Sequence, residues 1–193
     1  MLLIRIVYTS NIQYIFLLWN LFLAWIPFQL GLVISESAKR NKWIKYFLLA
    51  AWLLFFPNAL YIVTDLIHFQ ETVNAPVWFD AVILFTSSFI GLIMAYISLF
   101  NTERFLAGKF SGRTMMLLIP FLIFISSFGV YLGRFRRWNS WDIITTPHLI
   151  LMDIADRFIH PWMHGRTWGV TLLLGTLLTF IYWSIKVMMK NIK

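Results

Sequence analysis

A bundle of about five membrane-spanning helices, with one further helix along its surface, is the fold this sequence predicts. Three observations carry that all-α, polytopic reading. Of the 193 residues, 60% are hydrophobic and only 12% are charged, against about 25% charged in soluble domains. Five apolar stretches each reach the ~20 residues a helix needs to cross a ~30 Å hydrocarbon core. The basic residues behind the net charge of +8 sit in short segments between those stretches. That distribution is the pattern of membrane topology and excludes a nucleic-acid footprint. The whole chain, 1–193, reads as a single transmembrane domain.

The first span covers about 12–34 and carries no charge from Ile12 to Ile34. Its apolar region exceeds the ~7–15 residues of a signal peptide, so Ser35-Glu36-Ser37 is read past and the span is retained. Asn20, in mid-span, is expected to bond across to a neighbouring helix. The second span, about 44–63, runs into "LFFPNALYIVTDLIHF". Pro57 removes a helical hydrogen bond there, and a kink would tilt Asp65 and His68 over the bundle mouth. The third, about 78–100, opens on Asp80, whose charge suits a positive helix end. The fourth and fifth cover about 114–133 and 168–188. Helices in lipid close-pack through small residues four apart. Ser87, Gly91 and Ala95, then Gly129 and Gly133, then Thr171, Gly175 and Thr179 supply that spacing.

Between the last two spans lies "HLILMDIADRFIHPWMH", residues 148–164. On a helix, Asp153, Asp156, Arg157, His160 and His164 fall in one arc about 100° wide. Leu151, Ile154, Ala155, Phe158, Ile159 and Trp162 take the other side. This predicts an amphipathic interfacial helix, kinked near its end by Pro161, with the polar stripe either solvated or turned inward.

Orientation follows from the cations. The loops at 36–45 and 101–113 and the tail hold ten Lys and Arg, including all seven lysines, and the other side holds six. The positive-inside rule puts the N-terminus outside and the C-terminus in the cytoplasm. The outer side then collects Asp65, Glu71, Asp80, Asp142, Asp153 and Asp156, all four histidines, and Arg134, Arg136, Arg137, Arg157 and Arg166.

That collection defines the candidate site. "GVYLGRFRRWNSWD", residues 129–142, places three arginines within four residues. The fork of a guanidinium grips carboxylate or phosphate as lysine cannot. Arg134, Arg136 and Arg137, with Asn139, Asp142 and Asp80, are the candidate binding residues. Their partners are either acids such as Asp65, Asp80 and Asp142 or a phosphate-bearing lipid headgroup. Trp138 and Trp141 beside them also suit plain anchoring at the headgroups. Asp65, His68, His160 and His164 are the candidate acid–base residues. No cofactor motif is present. His68, His160 and His164 with Asp156 are the residues that would hold a divalent ion such as zinc. The absence of cysteine excludes disulfides, thiolate metal sites and cysteine nucleophiles.

The segments "LFFPNALYIVTDLIH", "WFD" and "GVYLGRFRRWNSWD", in this order, resemble a family of bacterial multi-pass membrane proteins known only as a domain of unknown function. The resemblance covers most of the chain. It implies a bacterial cytoplasmic membrane protein and carries over no activity or catalytic residue. Three function classes follow from the residues themselves. The first is a non-catalytic accessory or scaffold protein locked by its outer polar network. The second is an enzyme acting on a lipid or lipid-linked phosphate at the outer leaflet. The third is a transporter subunit, disfavoured because the spans hold almost no ionisable residue.

Overall fold

The computed structural model describes residues 1–36, 41–69 and 75–191. Ser37, Lys39, Arg40, Glu71 and Lys193, which enter the sequence reading, lie outside them. The described residues are helical, without strands, and five helices are long and apolar enough to cross a membrane: Phe16–Glu36, Lys42–His68, Val77–Ala107, Gly112–Arg136 and Pro161–Asn191. The predicted spans are therefore present; the first starts four residues later than expected and ends two later, and the second, third and fifth run on by a turn or more at one end. The chain forms two compact units, Met1–Phe105 and Leu106–Lys193.

The first unit begins with a short helix, α1 (Leu2–Thr9), which the sequence reading passed over. Next come α2 (Phe16–Glu36), α3 (Lys42–Tyr61) and α4 (Val77–Ala107), whose last two residues lie in the second unit. Asn41 starts α3 by accepting the Trp43 N–H at 3.2 Å, a side-chain cap for one of the orphan donors of the first turn. Past Pro57 the helix continues to Tyr61 and then tightens to 3-10 geometry over Ile62–His68. The 3-10 turn stacks residues three apart. Asp65 and His68 accordingly face α2 together, Asp65 against Asn20 and His68 edge-on to the Phe16 ring at 5.2 Å.

Ser98 joins three helices. Its hydroxyl accepts from Trp52 Nε1 at 2.7 Å and donates to the Pro27 carbonyl at 2.5 Å. A Cβ on Gly31 would stand 2.7 Å from that hydroxyl, so only glycine lets α2 approach α4 this closely. Gly91 serves the same purpose against the 3-10 turn, where an added Cβ would fall 2.1 Å from Ile62 Cγ2. All three small positions read in the third span, Ser87, Gly91 and Ala95, are buried.

The second unit packs α5 (Gly112–Arg136) on α8 (Gly165–Asn191). Ser111 caps α5 by accepting the Thr114 N–H at 3.2 Å. Gly175 is the close approach here, its missing Cβ pointing at Phe124. Between them lie a four-residue turn, α6 (Asp142–Thr145), then α7 (Pro147–Ile159) and a 3-10 turn over Pro161–His164. Pro147 starts α7 with its fixed φ, and Pro161 ends it, because proline has no N–H to continue the ladder.

Candidate functional site

The second unit carries the denser polar cluster. Arg134 is half-buried in the last turn of α5, and Arg136 is the last helical residue. Arg137 leaves the helix in the left-handed region, with φ 62° and ψ 27°, and is exposed. The helix therefore stops just short of Arg137 and does not carry it onto the Gly129–Gly133 face. The left-handed step turns the chain so that the Trp138 N–H closes on the Leu132 carbonyl at 3.2 Å.

That turn aims Arg136 and Trp138 at α7. Arg136 grips Asp153 with its fork, Nε to Oδ2 at 3.1 Å and Nη2 to Oδ1 at 2.9 Å. Trp138 Nε1 donates to Oδ2 at 2.7 Å, and Arg157 Nη1 donates to Oδ1 at 2.6 Å and also to the Asp153 carbonyl. The partner of Arg136 is thus Asp153, from the polar stripe of α7, in place of the expected Asp65, Asp80 or Asp142. Burial pushes the Asp153 carboxyl up. The hydrogen bonds from Arg136, Trp138 and Arg157, with the Arg157 charge, outweigh it and hold the group down at about 2.

The stripe is split in its environment. Asp153 and Arg157 turn inward, the Arg157 side chain being only 3% exposed. Leu151, Met152, Phe158 and Ile159 are exposed, as an apolar face toward lipid requires. Asp156 is exposed and stands between two imidazoles, His160 Nδ1 at 3.0 Å and His164 Nε2 at 2.8 Å. Those two hydrogen bonds hold its carboxyl below the ordinary range. The break at Pro161 brings His164 back to the carboxylate that His160 reaches one helical turn on. Among the described residues no group of three His, Asp or Glu side chains is arranged to hold a metal ion. Asn139 and Asp142 form a local turn instead, the Asn139 N–H donating to Asp142 Oδ2 at 2.7 Å.

The first unit has its own polar contacts. Asp80, 1% exposed at the start of α4, receives a bidentate fork from Arg5 of α1, Nε to Oδ1 at 2.6 Å and Nη2 to Oδ2 at 3.0 Å. The Asp80 hydrogen bond raises the Arg5 pKa against the opposing effect of burial. The guanidinium lies 4.4 Å over the Tyr14 ring, a cation–π contact that strengthens out of water. Asp65 is fully buried and accepts from Asn20 Nδ2 at 2.6 Å, the cross-helix bond expected of Asn20. His68 is exposed at the end of its turn, its carbonyl accepting from Tyr14 Oη at 3.4 Å.

Arg5 was missed by sequence reasoning. The signal was there, in a lone cation within "LLIRIVYT", but eight residues are too few for a span and gave no reason to look inward.

Five long apolar helices and an apolar exterior define a multi-pass integral membrane protein. The chain belongs to the family described as "Protein of unknown function (DUF1361)", which matches residues 19–181. No curated protein and no solved structure matches it. The matched residues include the Arg136–Asp153 network, the Asp156 pair of histidines and Asn20–Asp65, and they leave out Arg5.

Proposed function

We propose that this protein is an accessory or scaffold protein of the bacterial cytoplasmic membrane, with its N-terminus outside. In this reading the polar residues at its extracytoplasmic face lock helix ends and turn over no substrate. The observation that carries it is the saturation of Asp153. Its two oxygens take four side-chain donors, from Arg136, Trp138 and Arg157. A carboxylate so occupied is a structural clamp, with no lone pair facing a substrate. The Arg5–Asp80 fork supports the same reading in the first unit. The outward orientation rests on the lysines, all in segments assigned to the cytoplasm.

A second reading, an enzyme acting on a lipid or lipid-linked phosphate at the outer leaflet, is favoured by one feature. Asp156 orients two imidazoles, and His160 keeps Nε2 and His164 keeps Nδ1 for another partner. A carboxylate-oriented imidazole is a general base in form. Lipid extracts of a deletion strain, a strain complemented with the natural chain and one complemented with Asp156→Asn separate the two. Identical lipid profiles in all three support the scaffold. A lipid species that accumulates in the deletion strain and persists with Asp156→Asn overturns it for the enzyme.

A further inference from the structure

In the first unit, α1 has its polarity reversed for a surface helix in water. Its one charged residue, Arg5, is buried and grips Asp80. Leu3, Ile4, Val7 and Tyr8 are 65–82% exposed. At 100° per residue these four fill an arc about 140° wide, and Leu2, Arg5, Ile6 and Thr9 take the opposite side. That opposite side is the docked one. Leu2 packs against the buried cluster of Tyr14, Leu17, Ile83 and Leu84. Thr9 returns its hydroxyl to the Arg5 carbonyl at 2.8 Å. A helix lying in water turns its polar residues out and its apolar stripe in. Here the charge is inside and the exposed face carries none, so that face fits an apolar medium.

The contacts of α1 fix its depth. α4 has 31 residues, about 46 Å of helix, enough to cross a bilayer with both headgroup regions at ~40–45 Å. Asp80, the fourth residue of α4, lies about 5 Å along it, and Ile83 and Leu84 lie about 10 Å along. The docked side of α1 touches all three residues or their cluster. This places α1 where headgroups meet hydrocarbon, the ~5–10 Å depth at which interfacial helices bury their apolar faces. At the same level Ile15, just before α2, and Trp78, second in α4, are also exposed. Tyrosine and tryptophan favour this zone.

We propose that α1 is an interfacial helix seated in the leaflet around the starts of α2 and α4. Leu3, Ile4, Val7 and Tyr8 lie among the lipid chains, and Arg5 turns inward to hold the helix to Asp80. Interfacial helices commonly add basic residues that attract anionic lipid. The only cation of α1 is spent on Asp80, so its seat depends on lipid chains and not on headgroup charge. The inference holds for a scaffold and for an enzyme alike, and it concerns a segment outside the family match at residues 19–181.

The test uses the full chain, which has no cysteine. Single cysteines at Leu3, Val7, Phe85 and Lys109 each carry one nitroxide, and the protein is reconstituted in phosphatidylcholine bilayers. Collisions with oxygen, which concentrates in lipid, are compared with collisions with a water-soluble nickel chelate. Phe85, exposed on α4, gives the lipid-facing standard, and Lys109, exposed in the turn after α4, gives the aqueous one. Leu3 and Val7 show an oxygen-to-chelate ratio several-fold above that of Lys109 and near that of Phe85. Partial replacement of the lipid by phosphatidylglycerol leaves the ratio unchanged. A ratio matching Lys109 puts the face in water and overturns the proposal. Weak collision with both agents means that a second copy or another protein covers the face, and overturns it too. A ratio that rises only with phosphatidylglycerol overturns the seat on lipid chains. A Phe85 label open to the chelate overturns the spans themselves, so that failure is told apart from failure of α1 alone.

Discussion

Replacing Asp153 with Asn tests the clamp at its centre. Asn keeps one carbonyl oxygen but presents an amide NH₂ to arginine and indole N–H groups, so donors meet a donor. It also removes the carboxylate that compensates the buried Arg157. Deleting one partner of a buried pair costs about 3–5 kcal/mol. The depressed carboxyl gives a separate, smaller figure. Its pKa falls from 3.8 to about 2, which corresponds to about 2 kcal/mol of stabilisation by the folded surroundings. In a chain of this size each kcal/mol moves the midpoint by ~2–4 °C, so Asp153→Asn loses about 6–20 °C in detergent at fixed scan rate. The sign of the pH dependence follows. A depressed carboxyl stabilises above its unfolded pKa, and that contribution is lost as pH falls through the folded value. The gap between the natural chain and Asp153→Asn therefore stays constant from neutral pH to about 5 and closes between about 4 and 2. A variant within ~1 °C of the natural chain at pH 7 refutes the clamp. A gap that persists unchanged at pH 2 refutes the charge-based account of it.

Arg136→Lys keeps the charge but loses the fork and destabilises by about 1–2 kcal/mol, whereas Lys109→Arg leaves the midpoint in place; equal effects would reduce Arg136 to a headgroup anchor. Arg5→Lys breaks the bidentate grip on a buried Asp80 and frees α1, read as faster protease cleavage near the N-terminus; unchanged cleavage counts against that docking. Gly91→Val drives a side chain into Ile62, and Ile62→Ala in the same chain restores part of the lost stability, which a double-mutant cycle measures; simple additivity would contradict the contact. Because the chain has no cysteine, single cysteines at Lys42, Lys109 and His148 report topology directly. An impermeant thiol reagent labels only the His148 position in intact cells, and labelling at Lys42 instead reverses the orientation.

Much of the architecture follows from the sequence alone, because crossing a bilayer imposes a length and a composition that any reader of the chain can measure. The five spans, the helix broken at Pro161 and the cross-helix role of Asn20 were all legible that way. So were the small residues at Gly91 and Gly175, where spacing betrays close approach. What spacing cannot give is the partner. Arginine needs a carboxylate, and Asp65, Asp80, Asp142 and Asp153 all satisfied the chemistry equally well in one dimension. Tertiary structure assigned Asp80 to Arg5 and Asp153 to Arg136, because a left-handed Arg137 turns the chain toward α7 and a short helix at the start of the chain docks its single cation inward. The inward or outward turn of α7 was open for the same reason. Periodicity separates a polar face from an apolar one, but only the packing against α5 and α8 decides which of the two meets the lipid.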